Sequence, residues 1–318
     1  MPPRPRRPVA SPVAPTVSRL RYTALAILFS ALWAAAFIGV KVALRSSPPL
    51  FLMVVRFLGA GLLLLATARL LGHPIPATRR AWRPLVLLGL LNNALYLGLA
   101  SVALRHLSAG MAAILASTNP LLLALFAALT LGERLTFARV AGLITSFGGV
   151  LWIMESRIGD ENRPGAIVLM LAAIAFLVTG TVMFKKLRVS AHLLVVNGGQ
   201  LLAGGLVLLP PSLLWESVGG VRLTTSFVAA QAFLIVGVSC AGMLIWFWLL
   251  NNGDATRASA YFFLNPVLGL VFGALGLGEL LRAHDLAGAV AVALGIYLVQ
   301  RPSSAELRTH AGRGSVRA

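Results

Sequence analysis

Eight side chains able to bind a small molecule lie inside long apolar runs: Trp33, Asn92, Tyr96, Asn119, Gln200, Trp246, Tyr261 and Asn265. Two basic residues, Lys41 and Arg56, share that setting. A polar group in hydrocarbon must find a partner, and a charge at a helix centre costs roughly 2.5 to 3.5 kcal/mol on insertion scales. Such residues mark the inside of a helical bundle rather than its lipid face. The amides offer donors and acceptors. The rings offer apolar walls and a face for a cation. Lys41 or Arg56 either meets a substrate carboxylate or snorkels to the interface. For the aromatic residues the alternative is an interfacial belt, where Trp82, Trp152 and Trp215 are expected. Asn93 and Asn197 complete the amides near mid-membrane.

Asn119-Pro120 and Asn265-Pro266 fall near the middles of two such runs. Proline removes a backbone donor and frees the carbonyl four residues back, so Pro120 and Pro266 predict helix kinks. Either the kinks present Ser117, Thr118, Asn119 and Asn265 to a cavity, or they are packing features with each Asn bonded to a neighbouring helix. The acids Glu133, Glu155, Asp160, Glu161, Glu216, Asp254, Glu279, Asp285 and Glu306 all fall in loops or at span ends, as do the histidines. A buried carboxylate proton carrier is therefore absent, and Glu133 or Glu279 at a helix end is the remaining proton route. The chain shows no nucleophile triad, phosphate loop or metal-ligand spacing, so neither an enzyme nor a bound metal or cofactor is expected.

The elements that must hold these residues follow from composition. The chain has 318 residues, 58% hydrophobic and 11% charged, far from the roughly 45 to 50% apolar and 25% charged of soluble domains. Lipid is the solvent that accepts such a sequence. The net charge of +18 would suggest nucleic acid in a soluble protein. Here the basic residues bunch between apolar runs and no nucleic-acid motif accompanies them, so none is expected as a partner; lipid and a small molecule are. The lone Cys240 excludes an intrachain disulfide.

Residues 1–21 are rich in Arg and Pro and predict a disordered basic tail. Apolar segments of about 20 residues, enough to span a bilayer, lie near 22–44, 50–71, 84–104, 107–131, 136–154, 165–184, 193–214, 227–250, 256–277 and 281–300. The first is too long for a cleaved signal peptide. Of the 27 Lys and Arg residues, only Arg45, Arg105, Arg157, Arg163, Arg222 and Arg282 occupy the odd loops. The rest, outside the spans, sit on the tails and even loops, which places both termini in the cytoplasm.

A shift of 146 residues lays Asn119-Pro120 on Asn265-Pro266, Gly132-Glu133 on Gly278-Glu279, Ala141-Gly142 on Ala287-Gly288 and Gly149 on Gly295, without a gap. The chain is thus an internal duplication: 22–156 and 165–300, joined by a loop at 157–164 and followed by a basic tail at 301–318. Five helices per unit is an odd number, so the second unit enters the membrane from the opposite side. An all-α membrane protein of ten helices in two inverted repeats around a central cavity results, an arrangement that recurs in transporters working by alternating access.

The order of motifs, from Trp33 through Lys41, Arg56 and Asn119-Pro120 to Leu131-Gly132-Glu133-Arg134, with Asn265-Pro266 and Leu277-Gly278-Glu279 repeating it, resembles the EamA-type transporters of the drug/metabolite transporter superfamily. The second repeat carries Thr179 opposite Trp33. The resemblance implies a cavity lined mainly by the first four helices of each repeat and export of metabolites, amino acids foremost, as in a YddG-like exporter, from a bacterial inner membrane. Multidrug or amphipathic-cation efflux is the alternative within transport, and a membrane enzyme or non-transporting scaffold the alternative outside it. Oligomeric state is not legible.

Overall fold

A computed structural model of the chain describes residues 18–107, 109–155, 162–187, 189–277 and 283–301. The described residues form helices and no strand. In chain order the long helices are α1 (Arg19–Ala43), α2 (Pro49–Leu70), α3 (Arg79–His106), α4 (Met111–Leu131), α5 (Phe137–Met154), α6 (Pro164–Leu187), α7 (Leu193–Trp215), α8 (Thr225–Asn252) and α10 (Ala283–Gln300). Those nine are long and apolar enough to cross a membrane. The tenth predicted span, 256–277, is helical but segmented. This α9 comprises Ala255–Ala260, a tight turn at Tyr261–Phe263, and Leu264–Leu277. Gly278 and Glu279, which complete the repeated motif, lie outside the described residues, as do 1–17, 157–161 and 302–318. Residues 19–21, which the sequence assigns to a disordered tail, instead open α1, whose first turn is capped by the Ser18 hydroxyl accepting from the Arg21 N–H.

Each Asn-Pro step sits beside a break in its helix. The fourth helix stops at Ala116, turns through Ser117 and Thr118, and restarts at Asn119 with Pro120 in its first turn. Pro120 has no N–H for the carbonyl of Ala116. The hydroxyls of Ser117 and Thr118 donate instead to the carbonyls of Ala113 and Leu115. In α9 the tight turn likewise precedes Asn265-Pro266, and Ser30 of α1 donates to the carbonyl of Tyr261 at 2.9 Å.

The third helix of each half departs from α-helical winding in a way the sequence did not signal. Gly89–Gly98 in α3 and Phe233–Gly242 in α8 are π-helical. Wide turns of this kind cluster at functional sites because they redirect side chains within an otherwise continuous helix.

Helices α5 and α10 make a self-complementary pair. Added at Gly142, a Cβ would stand 2.5 Å from the carbonyl oxygen of Gly295; at Gly149 it would stand 2.8 Å from that of Gly288. The converse holds: side chains on Gly288 and Gly295 would fall against the carbonyls of Gly149 and Gly142. Between them the Ser146 hydroxyl donates to the carbonyl of Val292, its own mate under the 146-residue shift, at 3.2 Å. Since Gly142 meets Gly295 and Gly149 meets Gly288, the two helices run antiparallel. A contact in which each partner does the same to the other is isologous. Helices α2 and α7 also pack antiparallel, with Gly61 against the Gly198 to Leu202 backbone and Gly205 against Leu58. Small residues allow such approach where lipid gives no hydrophobic drive for helix association.

Two ends of the bundle can be distinguished. One carries 71–78, 132–136, 189–192 and 253–254, and with them Arg79, Arg80, Arg83, Arg134, Lys185 and Lys186. At this basic end, Gly132 ends α4 in the left-handed conformation, φ 68°, which glycine adopts freely. That turn aims Glu133 at the start of α9, where its carboxylate accepts from the N–H groups of Ala255 (2.7 Å) and Thr256 (3.0 Å) and the Thr256 hydroxyl (2.7 Å). Lys185 Nζ lies 3.4 Å away. Arg139, buried, pairs with Asp254 at 2.8 Å. At the opposite end, the Glu216 carboxylate accepts from the N–H groups of Leu50 and Phe51 at 2.9 and 2.8 Å. Each end thus has a carboxylate from one repeat capping a helix of the other, where the helix dipole favours negative charge.

Candidate central cavity

Between the halves lies a cavity of about 50 Å³ lined by α1, α2, α3, α4, α6, α8 and α9. That is room for a few waters, well short of the roughly 300 to 1,000 Å³ of small-molecule sites. The conformation is therefore a constricted one.

Four of the ten predicted site residues meet here: Trp33, Arg56, Tyr96 and Asn119. The α1 helix presents Trp33, Ala36, Phe37 and Val40 to the cavity, positions spaced three and four apart on one helix face. Tyr96 projects from the π-helical stretch of α3, against Trp33 and within electrostatic reach of Arg56. Asn119 sits where α4 restarts; it is 2% exposed, and neither its amide nitrogen nor its oxygen has a partner among the described residues. An unmet buried polar atom costs about 1 to 3 kcal/mol, so these groups are set for something other than protein. Met53, Met170, Ile174, Leu177, Val238 and Phe262 supply apolar wall.

Arg56 is the buried charge of the site. It is 2% exposed and its Nε donates to the Ser239 hydroxyl at 2.8 Å. Its guanidinium carbon stands 5.7 Å from the Phe57 ring centre. Among the described residues it has no carboxylate partner, and no carboxylate lines the cavity. Ser239 begins a chain of buried polar groups. Its carbonyl accepts from Asn197 Nδ2 (2.8 Å), Asn197 Oδ1 accepts from Gln200 Nε2 (3.2 Å), and Gln200 Oε1 accepts from Asn92 Nδ2 (3.1 Å). Asn93 donates to the Gln200 carbonyl.

The other predicted residues lie elsewhere. Asn92 and Gln200 belong to this amide chain and do not line the cavity. Trp246 stacks on Phe29, with ring centres 5.2 Å apart, and meets Phe262 edge-on at the same distance. Those three rings and Trp33 form a floor between the cavity and the basic end. Tyr261 is in the same layer and shares a hydroxyl contact with Thr23 at 3.2 Å. Asn265 is buried off the cavity, and Lys41 is exposed. Trp152 and Trp215 are exposed, whereas Trp82 donates its indole N–H to the Pro76 carbonyl. Ser239 and the Phe29–Phe262 contact were not foreseen. A serine beside Cys240 in an apolar run carries no signal of its partner, and phenylalanines at helical spacing read as ordinary core.

The model of the EamA-like transporter family matches residues 20–155 and again residues 164–301. The chain belongs to this family. It is a membrane transporter, and each half is a copy of the family's unit. Transporter YvbV of Bacillus subtilis, described as uncharacterised, is 31% identical over 84% of this chain and 87% of its own length. A WAT1-related chloroplast protein of Arabidopsis thaliana is 29% identical over 85% and 67%. An inner membrane transporter of Escherichia coli, YedA, also described as uncharacterised, is 29% identical over 81% and 85%. One solved crystal structure superposes with a TM-score of 0.72 at 20% identity, covering 89% of this transporter and 97% of its own chain, which speaks to the fold alone.

Proposed function

We propose that this transporter exports small metabolites, amino acids foremost, by alternating access between two inverted five-helix repeats. The observation that carries the reading is the constricted cavity between the halves. It brings an aromatic wall, an amide with no partner among the described residues and a cation together, as a small amphipathic cargo requires. The antiparallel, isologous contact of α5 with α10 supports the inverted relation, with α9 as the tenth, broken span. The Lys and Arg gathered at one end support a cytoplasmic basic end and cytoplasmic termini; the E. coli relative supports a bacterial inner membrane. On this reading the structure is closed toward the cytoplasm by the aromatic floor and the Glu133 cap.

The transporter works as a facilitator or exchanger. The charged residue lining the cavity is an arginine, and Glu133, the remaining proton route among the described acids, is engaged at a helix end. In proteoliposomes, unlabelled amino acid inside should drive uptake of labelled amino acid, at a rate independent of an imposed pH gradient. Strong acceleration by the gradient would replace this with proton coupling.

A further inference from the structure

We infer that Arg56 and Asn119 form an anion subsite that takes the carboxylate of an organic acid, and that this carboxylate supplies the missing counter-charge of the cavity. The inference rests on the transport reading for its consequence but on geometry for its substance. Arg56 is buried on α2 without an acid partner among the described residues, and its Nε is already committed to Ser239. Arg56 is among the residues that line the cavity, and its planar fork of donors suits a carboxylate. Asn119 reaches the same cavity with both amide atoms unmet. Two independent buried groups, one a cation and one a free donor, thus point into one space. Trp33, Phe37 and Phe262 give the apolar body of such a cargo its walls. The amide chain from Asn92 to Ser239 contains no charge, so it holds Arg56 in place without neutralising it.

A consequence for the cycle follows from charge. Empty, the site must change its facing with a bare cation in low dielectric; loaded with a carboxylate, it does so as a neutral pair. The loaded form should move more easily, which favours exchange of one acid for another over net movement.

The test uses four compounds sharing a phenyl ring: 3-phenylpropionate, 3-phenylpropionamide, phenethylamine and phenylalanine. With detergent-purified full-length protein, 3-phenylpropionate should bind by tryptophan quenching and thermal shift at least tenfold more tightly than the amide or the amine. Arg56→Gln should erase that preference. Asn119→Asp, which places a carboxylate in the cavity that Arg56 lines, should erase it too and guards against a folding failure of the first variant. Equal binding of acid and amide, or an unchanged preference in both folded variants, overturns the subsite. So does equal stabilisation by chloride or inorganic phosphate, which would make the site a general anion site. In proteoliposomes, carboxylate counterflow without phenylalanine counterflow keeps the subsite and removes amino acids as cargo. Counterflow of phenylalanine and the amide alike keeps the carrier and removes the subsite. Selective carboxylate binding with no counterflow at all keeps the subsite and removes transport.

Discussion

Where α5 meets α10 the two repeats do the same to each other: Gly142 lies on Gly295, Gly149 on Gly288, and Ser146 on its own mate Val292. At the cavity they divide the labour. Trp33, Arg56, Tyr96 and Asn119 all come from the first repeat, while the second supplies Met170, Ile174, Leu177, Val238 and Phe262. The second repeat also holds the first repeat's cation from behind, through Ser239, Asn197 and Gln200. Duplication thus preserved the symmetric contact at the periphery, where backbone meets backbone and any side chain is excluded. It relaxed the symmetry in the centre, where a cargo is itself asymmetric.

The largest expected effect tests the symmetric part. Leucine at Gly149 or at its mate under the 146-residue shift, Gly295, must displace backbone, and overpacking of this kind typically costs about 1 to 3 kcal/mol or more. Both variants should lose thermal stability in detergent, by equal amounts within about 1 kcal/mol. A loss confined to one of them would break the equivalence. Next comes the asymmetric part. Asn119→Ala should lower carboxylate counterflow about tenfold, the equivalent of about 1.4 kcal/mol, whereas Asn265→Ala, off the cavity, should change it less than twofold. Equal losses from the two asparagines would restore the symmetry that the cavity lacks.

A smaller effect probes the support behind the cation. Ser239→Ala removes the bond to Arg56 Nε, and hydrogen bonds to charged groups are worth about 1.5 to 3 kcal/mol. Water or a shifted rotamer recovers part of that. Half-saturation for 3-phenylpropionate should rise several-fold while binding of the neutral amide stays unchanged. Parallel loss for both compounds would reduce Ser239 to packing.

The periphery was more legible in the sequence than the centre, for a physical reason. Spans and helix breaks are local: apolar length sets the first, and Asn119-Pro120 with Asn265-Pro266 set the second. Glycines repeated at Gly142 and Gly149, then Gly288 and Gly295, announced the duplication because their spacing recurs; that the two helices carrying them meet came only from the structure. The cavity depends on which residues from seven helices face one another. Arg56 and Lys41 look alike in sequence, yet one is buried against Ser239 and the other exposed. Asn92 and Asn119 are both asparagines near mid-membrane, yet one is bonded to Gln200 and the other unmet. The π-helical stretches of α3 and α8 shift side-chain directions in a way that a regular helical period cannot foresee.

The end caps carry the comparison to the two faces of the membrane. Glu133 from the first repeat caps α9 of the second at the basic end; Glu216 from the second caps α2 of the first at the other. If the repeats exchange roles during the cycle, weakening one cap should bias the protein toward opening that end. A cavity reporter, Ala100→Cys in a Cys240→Ala background, should react several-fold faster with a reagent applied from the basic end when Glu133 is changed to Gln. Glu216→Gln should favour reagent from the opposite end. Acid should mimic the first variant. Burial pushes the Glu133 carboxyl up, but the Thr256 hydroxyl and N–H, the Ala255 N–H and Lys185 outweigh it and hold the group below its ordinary 4.5. A depressed carboxyl value means that the cap is intact above the ordinary range and is lost only as pH falls through the folded value. Basic-end reactivity of the reporter should therefore stay flat from pH 7 to 5 and rise only in stronger acid, and in Glu133→Gln that rise should be absent. A rise between pH 7 and 5 would place the release on another group and separate the cap from the gate.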